Sequence, residues 1–159
     1  MGRLTISGQG FKTILSATFV AGALDIIVAI LVYAMIMGKT TPSRIILSIA
    51  SGIFGKEAYS GGTAMVLTGL VLHFFIAFLF SVFYYFLYQN VASISGKRVT
   101  SGILYGIFIW VVMNLIVLRI VFPAMPAPEL QAIATGMSIV IVAVGIPISY
   151  IISAGSRRW

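Results

Sequence analysis

The chain has 159 residues, enough for one domain, and 60% of them are hydrophobic while only 8% are charged. Because an ordinary soluble domain carries roughly 25% charged residues, a water-soluble fold could not cover its surface with this composition, and the excess apolar area must face lipid. The sequence has no cysteine, one histidine and three acidic residues. It therefore excludes disulfides and thiol chemistry, and we expect neither a metal site nor a cofactor.

The formal net charge of +7 comes from basic residues that stand singly or in pairs between long apolar runs. A nucleic-acid-binding protein would instead gather its basic residues on one face, so we expect no nucleic-acid partner. Scattered lysines and arginines of this kind orient membrane helices and contact anionic lipid. The lipid bilayer is the partner that the charge pattern indicates.

Four stretches are long and apolar enough to cross a membrane, which takes about 20 mainly apolar residues. They cover approximately residues 13–37, 63–88, 101–122 and 130–153. The first is longer than the apolar region of a signal peptide and is followed by no A-x-A cleavage site, so we expect it to be retained. The sequence predicts an all-α fold class: one polytopic transmembrane bundle of four helices.

A shorter apolar segment separates the first two predicted spans. Thr41 suits the N-cap of a helix and Pro42 its first position, and the isoleucines that follow recur at three- and four-residue spacing. About a dozen residues cannot cross a bilayer, so we predict an interfacial helix over residues 42–54, with a re-entrant segment as the alternative. Arg44 and Lys56 are predicted to contact lipid headgroups.

Prolines mark the beginning and the middle of the last predicted span. Pro128 and Glu129 fit its first turn, where a proline costs no hydrogen bond and an acid faces the positive end of the helix dipole. Pro147 lies inside the span and is expected to kink it.

Orientation is predicted from the basic residues on each side of the membrane. The side with both termini has six and the other side has four, which favours cytoplasmic termini by the positive-inside rule. The six are Arg3, Lys12, Lys97, Arg98, Arg157 and Arg158. The four are Lys39, Arg44, Lys56 and Arg119.

Three of the polar side chains within the predicted spans are candidates for a buried site: Asp25, His73 and Asn114. At 1.5 Å per residue, Asp25 is about 18 Å from either end of its helix, and His73 and Asn114 are about 15 Å and about 12 Å below the outer ends of theirs. They fall in one layer, and we hypothesise a buried hydrogen-bonded cluster. Such a cluster either holds helices together or binds a proton, an ion or a ligand.

Small residues predict where the helices pack. Glycines let two backbones approach closely, and Gly102 and Gly106 form a GxxxG pattern. The candidate helix-packing residues are Gly22, Gly69, Gly102, Gly106 and Gly145.

Arg119 lies one turn before the end of the third predicted span. Its side chain either extends to the lipid headgroups or forms an ion pair, for which Glu129 is nearer in depth than Asp25. Both alternatives stay open at this point.

No motif of an enzyme is present. The chain lacks a nucleophile elbow, an HExxH pattern and paired carboxylates, and we expect a protein without catalytic residues. Its membrane serines are better explained as helix-contact residues than as nucleophiles: Ser16, Ser81, Ser138 and Ser149.

Several short motifs together resemble the YagU-like family of small four-helix bacterial inner-membrane proteins. They are Ala21-Gly22-Ala23-Leu24-Asp25, residues 47–52 (LSIASG), Leu72-His73-Phe74 with Tyr84-Tyr85, and Met113-Asn114-Leu115. The resemblance covers most of the chain. It implies a multi-pass protein of the bacterial inner membrane and supplies no site residues.

Two functional classes are left. In the first, the protein transports or senses a proton, an ion or a small solute through the layer of Asp25, His73 and Asn114, and works as a homo-oligomer because four helices enclose little space. In the second, it is a non-enzymatic accessory or assembly subunit of a larger membrane complex, which its small-residue faces would contact.

Overall fold

The computed structural model describes residues 6–91 and 97–156, and nearly all of them are helical. Four helices are long and apolar enough to cross a membrane, which confirms the predicted fold class. We name them in chain order span one (Gly8–Ile36), span two (Gly62–Asn90), span three (Arg98–Val121) and span four (Leu130–Ser156). The chain is an integral membrane protein.

The helices differ at their ends from the predicted stretches. Spans one and three begin at Gly8 and Arg98, several residues before the predicted starts, and span four continues to Ser156. Span one begins early because the Ser7 hydroxyl accepts a hydrogen bond from the Gly10 N–H at 3.0 Å and caps the helix. Hydropathy marks only the apolar part of a helix, whereas the helix itself continues to a residue that caps its end.

The short helix after span one has the predicted bounds, Pro42–Phe54, and we call it the connecting helix. The Thr41 hydroxyl caps it by accepting a hydrogen bond from the Arg44 N–H at 3.3 Å. It ends at Gly55, whose φ of +59° favours glycine, and a 3₁₀ turn over Gly55–Ser60 leads into span two.

The connecting helix packs across the beginning of span two and the end of span three. Ile46 is so close to Gly69 that a Cβ added to this glycine would overlap the Ile46 carbonyl oxygen. On the same helix, Gly52 lies near Val121: an added Cβ would be 3.4 Å from Val121 Cγ1. We call this end of the bundle the connecting-helix side and the opposite end the termini side.

Span two shows how the bundle meets its surroundings. Leu67, Val71, Phe75, Leu79 and Phe83 are between 48% and 68% exposed. Because they follow one another at four-residue intervals, they form one apolar face. A face of this size and composition is stable against lipid and would be unstable in water.

Span four is the most buried of the four, and it packs most closely against span three. A Cβ added to Gly106 would lie 2.6 Å from Ile141 Cα, and one added to Gly145 would lie 2.7 Å from Gly106 Cα. Gly102 lies at the same contact: a Cβ added to it would lie 2.8 Å from Ile146 Cα. The two backbones therefore touch where the sequence offers no side chain.

Three spans contain π-helical segments: Ile30–Ile36, Val112–Val117 and Ile141–Gly145. The third ends two residues before Pro147, which lacks the N–H of a regular helix, so the wider turn fits the irregularity that this proline was expected to cause. The other two segments contain no proline.

The start of span four differs from the prediction. The helix begins at Leu130, with Glu129 at the N-cap position in an extended conformation (φ −65°, ψ 155°), so neither Pro128 nor Glu129 belongs to its first turn. The residue before a proline is biased away from the helical conformation, and with Pro126 and Pro128 two residues apart the chain stays extended up to Glu129.

We expect Gly145→Ala to lower the free energy of unfolding by roughly 1–3 kcal/mol, as overpacking of a tight contact does. Thermal unfolding in mild detergent measures the loss. Gly52→Ala is the matched control, because its added Cβ meets Val121 at an ordinary contact distance of 3.4 Å and alanine favours a helix over glycine. Equal losses in the two variants would contradict the role of Gly145.

Candidate functional site

Asp25 and His73 come together where span one meets span two. The His73 Nε2 atom lies 2.8 Å from the carbonyl oxygen of Gly22, three residues before Asp25 in the same helix. Gly22 permits this approach, because a Cβ there would lie 2.8 Å from the Phe74 ring. Asp25 is half-buried and lies on the same face of span one as Gly22, because residues three apart are neighbours on a helix surface.

The hydrogen bond to Gly22 determines which ring nitrogen of His73 carries hydrogen. A carbonyl oxygen can only accept, so Nε2 must donate to it. In the neutral imidazole Nδ1 is then the basic nitrogen, the atom that can take up a proton. The site thus combines a carboxyl group and a proton-accepting nitrogen inside a membrane-spanning pair of helices.

Asn114 lies outside this pair. Its Nδ2 atom donates to the Trp110 carbonyl oxygen of its own helix at 3.0 Å. Trp110 and Tyr33 both approach Gly136 of span four: a Cβ added there would lie 3.1 Å from the indole Nε1 and 3.4 Å from the Tyr33 hydroxyl. The structure therefore brings together two of the three residues of the predicted layer, and the three-residue cluster stays a prediction.

A cavity of about 710 Å³ opens on the connecting-helix side. Ala29 and Tyr33 of span one form part of its wall. They follow Asp25 at four-residue intervals on the same helix face, so the Ala29 backbone lies about 6 Å along the helix axis from that of Asp25.

The remaining predicted contact residues lie around this end of the bundle. Arg119 Nη1 donates to the Met125 carbonyl oxygen at 2.7 Å, a bond that holds the loop after span three against its helix end. Glu129 and Lys56 are exposed. Arg44 forms part of the cavity wall, so a lipid headgroup that contacts Arg44 would lie at this cavity.

A second polar cluster, which sequence reasoning missed, lies on the termini side. The hydroxyl groups of Tyr84, Ser101 and Ser149 form a triangle with sides of 2.8–2.9 Å. Ser101 also donates to the Lys97 carbonyl at 2.8 Å, and Ser149 to the Arg98 carbonyl at 2.8 Å. The triangle therefore ties spans two and four to the beginning of span three, and we call it the hydroxyl triangle.

Tyr105 extends this cluster. Its hydroxyl donates to the Phe80 carbonyl oxygen at 2.6 Å, and its ring centre lies 4.6 Å from that of Tyr84. Tyr84, at 1% exposed, and Ser149, fully buried, sit in the core. Every hydroxyl in the triangle has partners within the protein, which is the arrangement of a packing element rather than of a binding site.

The sequence carried a partial signal for this cluster. Of the four serines attributed to helix contacts, Ser81 and Ser149 are fully buried, whereas Ser16 and Ser138 are exposed, so the attribution was wrong for the latter two. A serine alone does not show which face of a helix it occupies. The tyrosine was the missing partner, because tyrosines near helix ends are ordinarily assigned to the membrane interface.

The predicted orientation depends in part on Arg3, Arg157 and Arg158, which lie outside the described residues.

Comparison of the chain with known proteins gives no match to a family model, a curated protein or a solved structure. The site must therefore be interpreted from its own geometry.

We expect Tyr84→Phe to lower the free energy of unfolding by about 1 kcal/mol, the usual contribution of a buried hydrogen bond. Tyr88→Phe, one turn along the same helix and outside the hydroxyl triangle, is the matched control and should cost less. Thermal unfolding in detergent measures both. A Tyr84 variant as stable as its control would show that the triangle contributes nothing.

We expect Asp25 and His73 to be energetically coupled, and Asn114 to be independent of both. In double-mutant cycles of Asp25→Asn, His73→Ala and Asn114→Ala, the first pair should deviate from additivity by at least about 0.5 kcal/mol, while pairs with Asn114 should add. Unfolding in detergent supplies the free energies. Additivity of Asp25 and His73 would separate the pair, and coupling of Asn114 would restore the three-residue cluster.

Proposed function

We propose that this protein transports or senses a proton, or a small ion linked to one, at the Asp25–His73 pair. One observation carries the proposal: the pair lies at the half-buried contact of spans one and two, and Ala29 and Tyr33, which follow Asp25 on its face of span one, form part of the wall of an open cavity. A carboxyl group that served only to hold helices together would need no such connection to the surface.

The chemistry of the two side chains suits proton exchange. Imidazole changes charge between pH 5 and 8, and the donated bond from Nε2 to Gly22 leaves Nδ1 to take up the proton. Asp25 can stabilise the charged ring, and intramembrane acids commonly belong to proton or ion pathways. Proton uptake would turn the neutral ring and carboxylate into an ion pair, which changes how spans one and two attract each other.

Location and orientation are proposed as well. The resemblance to YagU-like proteins supports the bacterial inner membrane, and the excess of basic residues on the termini side supports cytoplasmic termini. In that orientation the cavity opens to the outer face, and Asp25 exchanges protons with the periplasm. Four helices enclose little space, so passage to the other face requires a homo-oligomer or a conformational change.

Proton flux into liposomes tests the proposal. Purified wild type should carry protons across the liposome membrane at a rate above that of protein-free liposomes. Asp25→Asn and His73→Ala should reduce the flux to the level of protein-free liposomes. Glu57→Gln is the control, because it removes a carboxylate that is exposed on the 3₁₀ turn and far along the chain from the pair.

Equal flux in wild type and Asp25→Asn would contradict the proposal. So would wild type without flux at any pH, provided that circular dichroism shows the helices intact. In either case a stoichiometric partner recovered in mild detergent would support the accessory-subunit class instead.

A further inference from the structure

The wall of the cavity on the connecting-helix side has a composition that the Asp25–His73 pair does not explain. The cavity volume of about 710 Å³ falls within the range of small-molecule sites, roughly 300–1,000 Å³. Its wall is formed by the end of span one, the connecting helix and the 3₁₀ turn. The lining residues are Ala29, Tyr33, Lys39, Thr40, Arg44, Ile45, Ser48 and Tyr59.

The charged groups in this wall have one sign. Lys39 and Arg44 contribute two cations, and no acidic residue lines the cavity in the part of the chain that the structure describes. A guanidinium group presents a planar fork of donors that matches two oxygens of a phosphate, and an ammonium group adds a point charge. An anion with several oxygens fits this pair better than any neutral or cationic ligand.

Hydroxyl groups complete the polar part of the wall. Four residues that carry a hydroxyl line the cavity: Tyr33, Thr40, Ser48 and Tyr59. The Ser48 hydroxyl already donates to the Ile45 carbonyl at 2.6 Å, whereas the Thr40 hydroxyl can donate to a phosphate oxygen. Arg44 lies in the first turn of the 13-residue connecting helix, where the positive end of the helix dipole adds to the attraction for an anion.

The apolar part of the wall and its position in the membrane define the ligand further. Lys39 and Thr40 come a few residues after the end of span one, and Ala29 lies within that span. The cavity therefore extends from the depth of the lipid headgroups towards the hydrocarbon region. A phosphate group at the cations and an apolar or glycerol portion deeper in the cavity would satisfy both parts.

We propose that this cavity binds a phosphate group, held by Arg44 and Lys39. The phosphate belongs either to the headgroup of an anionic phospholipid or to a free phosphate-bearing solute. This inference goes beyond the proposed function, because it needs no proton transfer at Asp25.

Ligand-dependent stabilisation of the full-length protein tests the site. The probes are dihexanoyl phosphatidylglycerol, a water-soluble short-chain lipid, and inorganic phosphate, each titrated against the protein in a mild non-ionic detergent. A ligand that binds only the folded state raises the unfolding temperature as its concentration increases, and the dependence on concentration yields the dissociation constant. Added salt should weaken the effect, since the attraction is between charges.

The decisive comparison uses two double variants that each lose two positive charges. Lys39→Gln with Arg44→Gln alters the cavity, whereas Lys12→Gln with Lys97→Gln alters exposed residues on the termini side that do not line it. We expect the first to bind roughly tenfold more weakly or worse, because it loses charge-assisted hydrogen bonds. The second should stay within about twofold of wild type, the change expected of screened distant charges.

If the cavity variant does not fold, Arg44→Lys replaces it: it keeps the charge, loses the planar fork and should weaken binding by a smaller but measurable factor.

The two probes distinguish the sources of the phosphate. Stabilisation by the short-chain lipid alone assigns the cavity to a lipid headgroup, and stabilisation by inorganic phosphate as well assigns it to a free phosphate-bearing solute. Stabilisation by neither probe, or equal weakening in the two double variants, would overturn the proposal. Asp25→Asn should leave binding unchanged, so a failure of proton flux and a failure of this site can be told apart.

Discussion

The architecture depends on the close approach of spans three and four, where Gly102, Gly106 and Gly145 leave room for two backbones to touch. In lipid, apolar side chains gain little by leaving their surroundings for one another, so helices associate through close van der Waals contact and buried hydrogen bonds. The glycine contact supplies the first. It also brings Ser101 and Ser149 within hydrogen-bonding distance of Tyr84. These buried hydrogen bonds hold span two against spans three and four.

The two ends of the bundle differ in how they are held. On the termini side, buried tyrosines and serines satisfy one another within a dense core. On the connecting-helix side, span one and span three change to π-helical turns over Ile30–Ile36 and Val112–Val117, and a cavity opens beside the first of these. π-turns often mark functional sites. The cavity is therefore found where span one is irregular, and the hydroxyl triangle where the helices are regular.

Part of the candidate site was within reach of sequence reasoning. An acid and a histidine inside apolar spans are costly in a membrane and must find partners, and counting residues from the helix ends placed Asp25 and His73 at one depth. The same count placed Asn114 there too, but depth says nothing about direction around the helix. The Asn114 amide donates to the Trp110 carbonyl of its own helix. The cavity beside Tyr33 could not be predicted, because it depends on where the connecting helix packs.

The sequence by itself determined that the chain crosses the membrane four times, that a capped short helix follows the first crossing and that a proline disturbs the last. These features are local: each depends on a run of apolar residues, on Thr41 and Pro42, or on the missing N–H of Pro147. Only the tertiary structure decided which faces meet. The hydroxyl triangle joins residues 17, 48 and 65 positions apart, and such contacts follow from the rotation and crossing of whole helices, which no single segment encodes.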